Sequence, residues 1–359
     1  MDFSSLQIRK RINDKAPMWT ILQTNNTTGW LRNPTAAEIR AMTYEAIGHG
    51  SEGFTYFVYQ TEVDWVGIVD ENYNHTEDYG TVQTLFNEIE TLKPTIKKMK
   101  RIAAAATTAG GGNFAYPSAD ITTHEDIETG DKYLVIVNHD SIQPANVTIT
   151  IDRAKLGMDI TSITNMLDNA NVTFTANSTS YIISNLNMAP GDGKVLKLTK
   201  SAAQTKYIGQ DKAFHVNNGA VSNVTDISAS DMKTAMHKIT GSRTWNIQWF
   251  WDKTQLIPGE TYDLYAVVKI KYAKDTYIDS SGAEHPFQPS GTAFSFGVYD
   301  LIAEKAVAAE SMEDMFWHTV KIGSFVPSQT GDQVVYIMPW DNPGNVLEIY
   351  VDQFYFVKH

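Results

Sequence analysis

The apolar residues change their spacing near residue 102, and that change limits the chain to a fold built of unlike parts. Before it, apolar positions recur at helical intervals: Val82, Leu85, Phe86, Ile89, Leu92, Ile96 and Met99 predict a helix over roughly 78–100, interrupted by Pro94. After it, short runs alternate. Tyr262, Leu264, Ala266, Val268, Ile270 and Tyr272 share one face of a strand, with Asp263, Lys269 and Lys271 on the other. A stripe of period 3.6 cannot serve as a pleated face of period 2, so helical and sheet regions must be separate.

The first zone, 1–102, reads as helix over 3–13, strand at Met18–Leu22, helix, strand at Phe54–Tyr59, helix. In the middle helix Thr35 is the candidate N-cap and Glu38 stands at capping-box spacing. Ile39, Met42, Ala46 and Ile47 form its apolar face, and it stops at Gly48-His-Gly, which makes His49 a helix-end residue. Helix and strand in alternation is the pattern of parallel α/β units. A stretch from Ala103 to Ala106 and then Gly110–Gly112 reads as a flexible divide. Residues 113–200 read as a small antiparallel sandwich, with strands at Tyr133–His139, Val147–Ile151, Val172–Thr175, Tyr181–Asn185 and Val195–Leu198, and a turn at Pro190-Gly-Asp-Gly. After a softer boundary at Ser201, residues 205–359 carry enough longer strands for a jelly roll.

Composition narrows the function classes. Length 359 allows two or three domains of about 150 residues. With 41 acidic against 29 basic residues the net charge is −12, which argues against a nucleic-acid partner. No apolar run is long enough for a membrane span. The absence of cysteine removes disulfides, thiolate nucleophiles and cysteine-held metals. No two histidines stand at i, i+4 on a helix, so a zinc site of that type is not expected. Neither a Gly-x-Ser-x-Gly nor a lysine after Gly110-Gly-Gly-Asn is present for nucleophile or phosphate chemistry. The first residues do not form a signal peptide, leaving the compartment unassigned; a longer precursor would imply an extracellular or periplasmic protein.

Pro17-Met-Trp-Thr-Ile-Leu-Gln, Arg32-Asn-Pro-Thr and Glu38-Ile-Arg-Ala-Met-Thr-Tyr-Glu-Ala-Ile-Gly-His-Gly-Ser-Glu-Gly-Phe-Thr-Tyr-Phe resemble the end of a bacterial glycoside-hydrolase TIM barrel. Asn74-His-Thr-Glu-Asp-Tyr and Asn87-Glu-Ile-Glu-Thr-Leu-Lys-Pro look like the final helix of such barrels. Pro190-Gly-Asp-Gly-Lys-Val-Leu-Lys-Leu is similar to the end of the small sandwich that follows them. Trp317-His-Thr-Val-Lys-Ile-Gly-Ser-Phe and Tyr350-Val-Asp-Gln-Phe-Tyr-Phe-Val resemble the closing strands of carbohydrate-binding jelly rolls. The resemblance implies a mainly β, multidomain fold: a partial α/β, TIM-barrel-like N-terminal region, then two antiparallel β-sandwich or jelly-roll domains. A full barrel needs eight strand–helix units and about 250 residues, so the catalytic barrel is incomplete here. At the place where the resembled barrels carry their nucleophile the chain reads Leu22-Gln23-Thr24, and glutamine is no carboxylate.

Glu62 and Asp64 follow the second strand on what would be a barrel's catalytic face; they are either catalytic acids or acids of a solvated loop. Sugars stack their C–H faces on indole rings and bond their hydroxyls to amides and carboxylates. In Trp245-Asn-Ile-Gln-Trp-Phe-Trp, the tryptophans read as a core face, and Asn246 and Gln248 would point outward toward a ligand. Trp340, beside Asp341 and Asn342 in a turn-rich segment, reads as an exposed platform. The resemblance to carbohydrate-binding jelly rolls also implies a structural calcium at Asp352; otherwise Asp352 is an outward polar residue, and no other cofactor is expected. The leading expectation is binding of a polysaccharide or oligosaccharide by residues 205–359. The alternatives are a glycoside hydrolase with an atypical or intermolecularly completed site, and a non-binding scaffold. An open parallel sheet would invite aggregation, which predicts cover for the N-terminal zone from the neighbouring sandwich or from a second chain, as a homo-oligomer.

Overall fold

The computed structural model describes residues 16–27, 29–109, 119–126, 129–201, 206–210, 214–216, 221–226, 228–239, 247–250, 256–327, 334–340 and 342–358. The predicted helix at 3–13, Asn246 and Asp341 lie outside them. The fold is mainly β and forms two compact units: Ala16–Asp152 with Ile160–Thr199, and Arg153–Asp159 with the residues from Lys200 onward.

Unit 1 begins with β1 (Trp19–Gln23), β2 (Asn26–Thr27), α1 (Ala36–Gly48), β3 (Gly53–Phe57), β4 (Trp65–Val66) and α2 (Glu77–Ile96). It continues through β5 (Met99–Ile102), β6 (Ala106–Ala109), β7 (Ala119–Asp126), β8 (Lys132–Asn138), β9 (Ala145–Asp152) and β10 (Ile160–Asn165). The last strands are β11 (Asn171–Val172), β12 (Thr175–Ala176), β13 (Ser180–Met188) and β14 (Gly193–Lys200). β1 and β3 pair in parallel, Trp19 opposite Gly53 and Gln23 opposite Phe57, with α1 as their crossover. One such pair does not distinguish a barrel end from any other βαβ unit.

The helix starts where the sequence predicts it. Thr35 accepts the Glu38 N–H at 3.3 Å, and the Glu38 carboxylate accepts the Thr35 N–H at 2.8 Å, closing the capping box. It ends at His49. α1 and α2 cover one face of the six-stranded sheet β11-β10-β14-β8-β7-β5; the other sheet of the sandwich is β12-β13-β9-β6. Ile39, Tyr44, Ile47, Leu85 and Leu92 meet Tyr133, Val135, Val137 and Val195 in one core. All seven residues of β8 are buried, because Leu134 and Ile136 are also enclosed on its second face. Gly193 is what lets α1 come this close: a Cβ there would lie 1.9 Å from Tyr44 Cγ.

Of the divide expected at Ala103–Ala106 and Gly110–Gly112, the glycines lie outside the described residues, and the alanines are packed into the fold. Ala103, Ala105 and Ala106 are buried, β5 ends at Ile102 in one sheet, and β6 begins at Ala106 in the other. Small side chains suit a crossing between packed sheets, and alanine carries no turn preference of its own. The predicted long helix accordingly stops at Ile96, and Met99 belongs to a strand.

Unit 2 opens with the short α3 (Arg153–Leu156). Its strands are β15 (Lys206–Gln210), β16 (Phe214–Val216), β17 (Val221–Thr225), β18 (Lys233–Lys238), β19 (Ile247–Phe250), β20 (Tyr262–Tyr272) and β21 (Thr276–Ile278). They continue as β22 (Glu284–Pro286), β23 (Thr292–Val298), β24 (Ile302–Ala308), β25 (His318–Phe325), β26 (Val334–Pro339) and β27 (Val346–Lys358). Two antiparallel sheets form a sandwich: β17-β18-β27-β20-β25, with β15 also on β27, and β16-β19-β26-β23-β24. Leu264, Val268 and Ile270 meet Phe294, Phe296, Val335, Ile337, Phe354 and Phe356 between them. Trp249 belongs to this core, stacked 6.1 Å from Phe354 and tilted against Phe356 at 5.1 Å. The alternation read from Tyr262 to Tyr272 is therefore a core face, yet the opposite face of β20 is not solvent-facing: Asp263 and Lys269 are both buried.

Candidate functional site

In unit 1 an open cavity of about 550 Å³ lies at the carboxyl end of β1, walled by the loop that leads into α1 and by the helix itself. Gln23, the last residue of β1, ties this loop down by donating from Nε2 to the carbonyls of Asn25 (2.9 Å) and Arg32 (3.0 Å). Trp30 stands on the turn so held, is 76% exposed and lines the cavity. Arg32 grips Glu38 through both terminal guanidinium nitrogens, Nη1 to Oε2 at 2.7 Å and Nη2 to Oε1. That grip, helped by the Thr35 backbone N–H, holds the Glu38 carboxyl down at about 2, against a smaller upward push from desolvation.

The floor comes from α1 and from the end of β8. Ala41 and Met42 give an apolar surface; Glu45, one turn on, and His139 give charge. Burial would raise the Glu45 carboxyl, but His139 and His49 beside it bring it down to about 2. The same contact with Glu45 raises His139, against the opposing effect of burial. α1 is fixed from its other side, where Arg40 meets Glu88 at 2.7 Å and Asp192 at 3.2 Å, and the Tyr44 hydroxyl donates to Glu88 at 2.8 Å. An apolar floor, an exposed indole and a rim of amide, guanidinium, carboxylate and imidazole can hold a polyhydroxylated ligand by stacking and hydrogen bonds.

None of the described candidate site residues singled out from the sequence is among those that line this cavity. Glu62 and Asp64 sit on an exposed tight turn, closed by Trp65 N–H to Glu62 O at 2.8 Å and Glu62 N–H to Trp65 O at 2.9 Å. Trp340 follows β26 directly and is only part-exposed: its backbone N–H reaches Ala293 O, and its indole N–H donates to Ser295 Oγ at 2.8 Å. Asn342 donates to the carbonyls of Ser290 (2.9 Å) and Thr292 (3.2 Å) and accepts from Asn345 at 2.8 Å, so its amide is engaged within the loop. Gln248 lies on the non-core side of β19, as its alternation predicts, but is buried. Asp352 is buried in β27 and accepts from Ser230 Oγ at 2.9 Å and from its N–H at 3.2 Å. Trp30, Glu45 and His139 were not anticipated. The signal for Trp30 was a tryptophan beside Gly29 in a polar segment, the same argument that singled out Trp340.

Among the described residues, unit 1's parallel pair carries exposed apolar side chains: Trp19 is 68% and Ile21 73% exposed, and Phe57 is also exposed. Among the described residues no helix is long and apolar enough to cross a membrane.

No family model matches the chain, and no curated protein matches it. Among solved structures it is similar to the C-terminal family 22 carbohydrate binding module of a Clostridium thermocellum protein: 17% identity, TM-score 0.29, over 44% of this chain and 95% of that one. A xylan-binding family 22 domain from Paenibacillus barcinonensis matches at 12% identity and TM-score 0.29, over 44% and 97%. TmCBM61, solved with β-1,4-galactotriose, matches at 14% identity and TM-score 0.25, over 43% and 88%. Likeness at this level defines neither a family nor a ligand for this chain.

Proposed function

We propose that the chain is a saccharide-binding protein whose contact surface is the unit 1 cavity beside Trp30. The observation that carries this reading is the pairing of a largely exposed indole with a polar-rimmed cavity of about 550 Å³. Packing gives no reason to keep a tryptophan in that position, and a sugar ring supplies one. The jelly-roll surface around Trp340 is the second reading, favoured by its part-exposed indole; its polar groups are more fully spent on the protein itself. A second copy of the chain over Trp19 and Ile21 would complete the reading as a homo-oligomer, which sedimentation at two concentrations tests.

Depletion of the full chain by a panel of plant, algal and bacterial polysaccharides tests the site, with released reducing ends assayed in the same tubes. Selective depletion weakened at least about tenfold by Trp30→Ala and unchanged by Trp340→Ala is expected, one to two stacked rings' worth of energy. The reverse pattern moves the site to unit 2. Sugar release points to Glu62 and Asp64 and to a hydrolase. Absence of depletion by every polysaccharide rejects the proposal.

A further inference from the structure

We propose that Glu45, Asp120 and His139 form a site for one divalent transition-metal ion, zinc being the best match to their donors. This goes beyond the saccharide reading and does not depend on it. The three come from separate elements: Glu45 from α1, Asp120 from β7, and His139 from just past β8. They are brought together because α1 lies directly on the β7–β8 pair, with Gly48 facing Thr122 and Val135. One donor atom of each falls within 4.8 Å of the others, the single such group of three among the described residues.

Two observations distinguish this group from an ordinary ion pair. Glu45 is 7% exposed, yet its Oε1 accepts no hydrogen bond. His139 Nδ1 lies 3.0 Å from that oxygen, a contact of charge without hydrogen-bond alignment. Two donors on one tetrahedral zinc stand about 3.3 Å apart, each pointing at the metal and not at its neighbour. A buried carboxylate oxygen left without a donor is costly, and a cation between Oε1 and Nδ1 would satisfy both atoms.

The other carboxylate oxygen is already set for this role. Glu45 Oε2 lies 2.9 Å from His49 Nε2, and His49 Nδ1 lies 3.0 Å from Arg101 Nη1. A guanidinium can only donate, so Nδ1 of His49 accepts and its proton sits on Nε2. His49 is then a donor to Glu45, not a ligand, and orients the carboxylate as outer partners orient metal ligands elsewhere. Asp120 receives its own neighbour's N–H on Oδ1 (Ile121, 2.8 Å), leaving Oδ2, 3.4 Å from His49 Nε2, as its donor atom. One imidazole nitrogen with two carboxylate oxygens suits zinc and leaves a fourth position open. Glu45 and His139 line the cavity, so that position faces it.

The test is a titration of the full chain, stripped with a chelator and exchanged into metal-free buffer, with Zn²⁺ by calorimetry and Co²⁺ by visible absorption. One ion per chain and a tetrahedral-type Co²⁺ band are expected. His139→Ala and Glu45→Gln, each checked by circular dichroism, should weaken binding by at least about 100-fold, since loss of an outer partner alone costs about 10–100-fold. His285→Ala, at the His285–Asp279 pair of unit 2, should change nothing. No uptake by the wild type, or uptake that both unit 1 variants retain, overturns the proposal.

Discussion

Two charge clusters, one in each unit, are held in opposite ways. Unit 2 seals a cation: Lys269 is fully buried, paired with Asp226, and set between the rings of Trp317 (4.6 Å) and Tyr350 (5.1 Å). Ser228 closes the group, donating to Asp226 at 2.6 Å and accepting the Trp317 indole N–H at 2.9 Å. Unit 1 gathers Arg32, Glu38, Glu45 and His139 around an open cavity. A sealed pair has every donor and acceptor answered within the fold and is available to nothing else. Of the charges at the cavity wall, Arg32, Glu38 and His139 keep an exposed side while neighbours hold the other. The difference separates charge that specifies a fold from charge that can meet a ligand.

The largest effect should come from opening the sealed pair. Lys269→Ala leaves the Asp226 carboxylate buried without its cation, and loss of one partner of a buried pair costs about 3–5 kcal/mol. Urea unfolding followed by hydrogen exchange, resolved by peptide, should show the loss in unit 2 peptides. The companion variant Asp226→Leu with Lys269→Met should recover most of it, since a packed apolar pair is often as stable as the ion pair. If Lys269→Ala is neutral, the box is not what the comparison takes it to be.

Acid should distinguish the units next. Burial lowers the His237 imidazole to about 4, and burial likewise takes His318 to about 4 against the upward pull of the Glu313 backbone. In the unfolded chain these groups protonate near 6.5. A folded value below the unfolded one means stability is complete above about 6.5 and is lost as pH falls toward 4. His237 is almost wholly buried, so its share of that loss is about 3 kcal/mol. His237→Asn should flatten the pH dependence of unit 2 exchange over this window, and an unchanged slope would contradict the buried neutral imidazole.

How far each unit was legible in the sequence follows from the range of its interactions. The Thr35–Glu38 cap and the stop at His49 are local, set within four residues, and were readable. The core face of β20 was readable from period 2. Lys269 is on the face its alternation predicts, but its burial depends on Asp226 and Trp317, 43 and 48 positions away, and no period records that. Histidines one turn apart are a local signal for zinc, whereas Glu45, Asp120 and His139 are joined only by the packing of α1 on β7 and β8. Trp340 and Asn342 were read from their neighbours in sequence as free for a ligand; their hydrogen-bond partners are 45 and up to 52 residues away.

The close approach of α1 to its sheet gives a third prediction, confined to unit 1. Gly193→Ala places a methyl carbon against the Tyr44 ring, whose hydroxyl is itself tied to Glu88. Overpacking of this kind costs about 1–3 kcal/mol. The urea midpoint of unit 1 peptides should fall while unit 2 peptides are unmoved. A parallel fall in both would show that the units unfold together and that their stabilities cannot be compared separately.

The smallest effect is at the start of α1. Thr35→Ala removes the oxygen that accepts the Glu38 N–H, and such a change costs about 1 kcal/mol. Thr35→Ser keeps the oxygen and should cost less. The interest lies in a second readout, because Glu38 belongs both to the cap and to the cavity rim through Arg32. Loosening the first turn frees the Arg32–Glu38 pair and with it the loop that carries Trp30. Saccharide depletion should therefore weaken a few-fold in Thr35→Ala and recover in Thr35→Ser, with unit 2 exchange unaffected in both. If stability falls but depletion does not, the rim charges are held by the loop alone, and the helix contributes only the cavity floor.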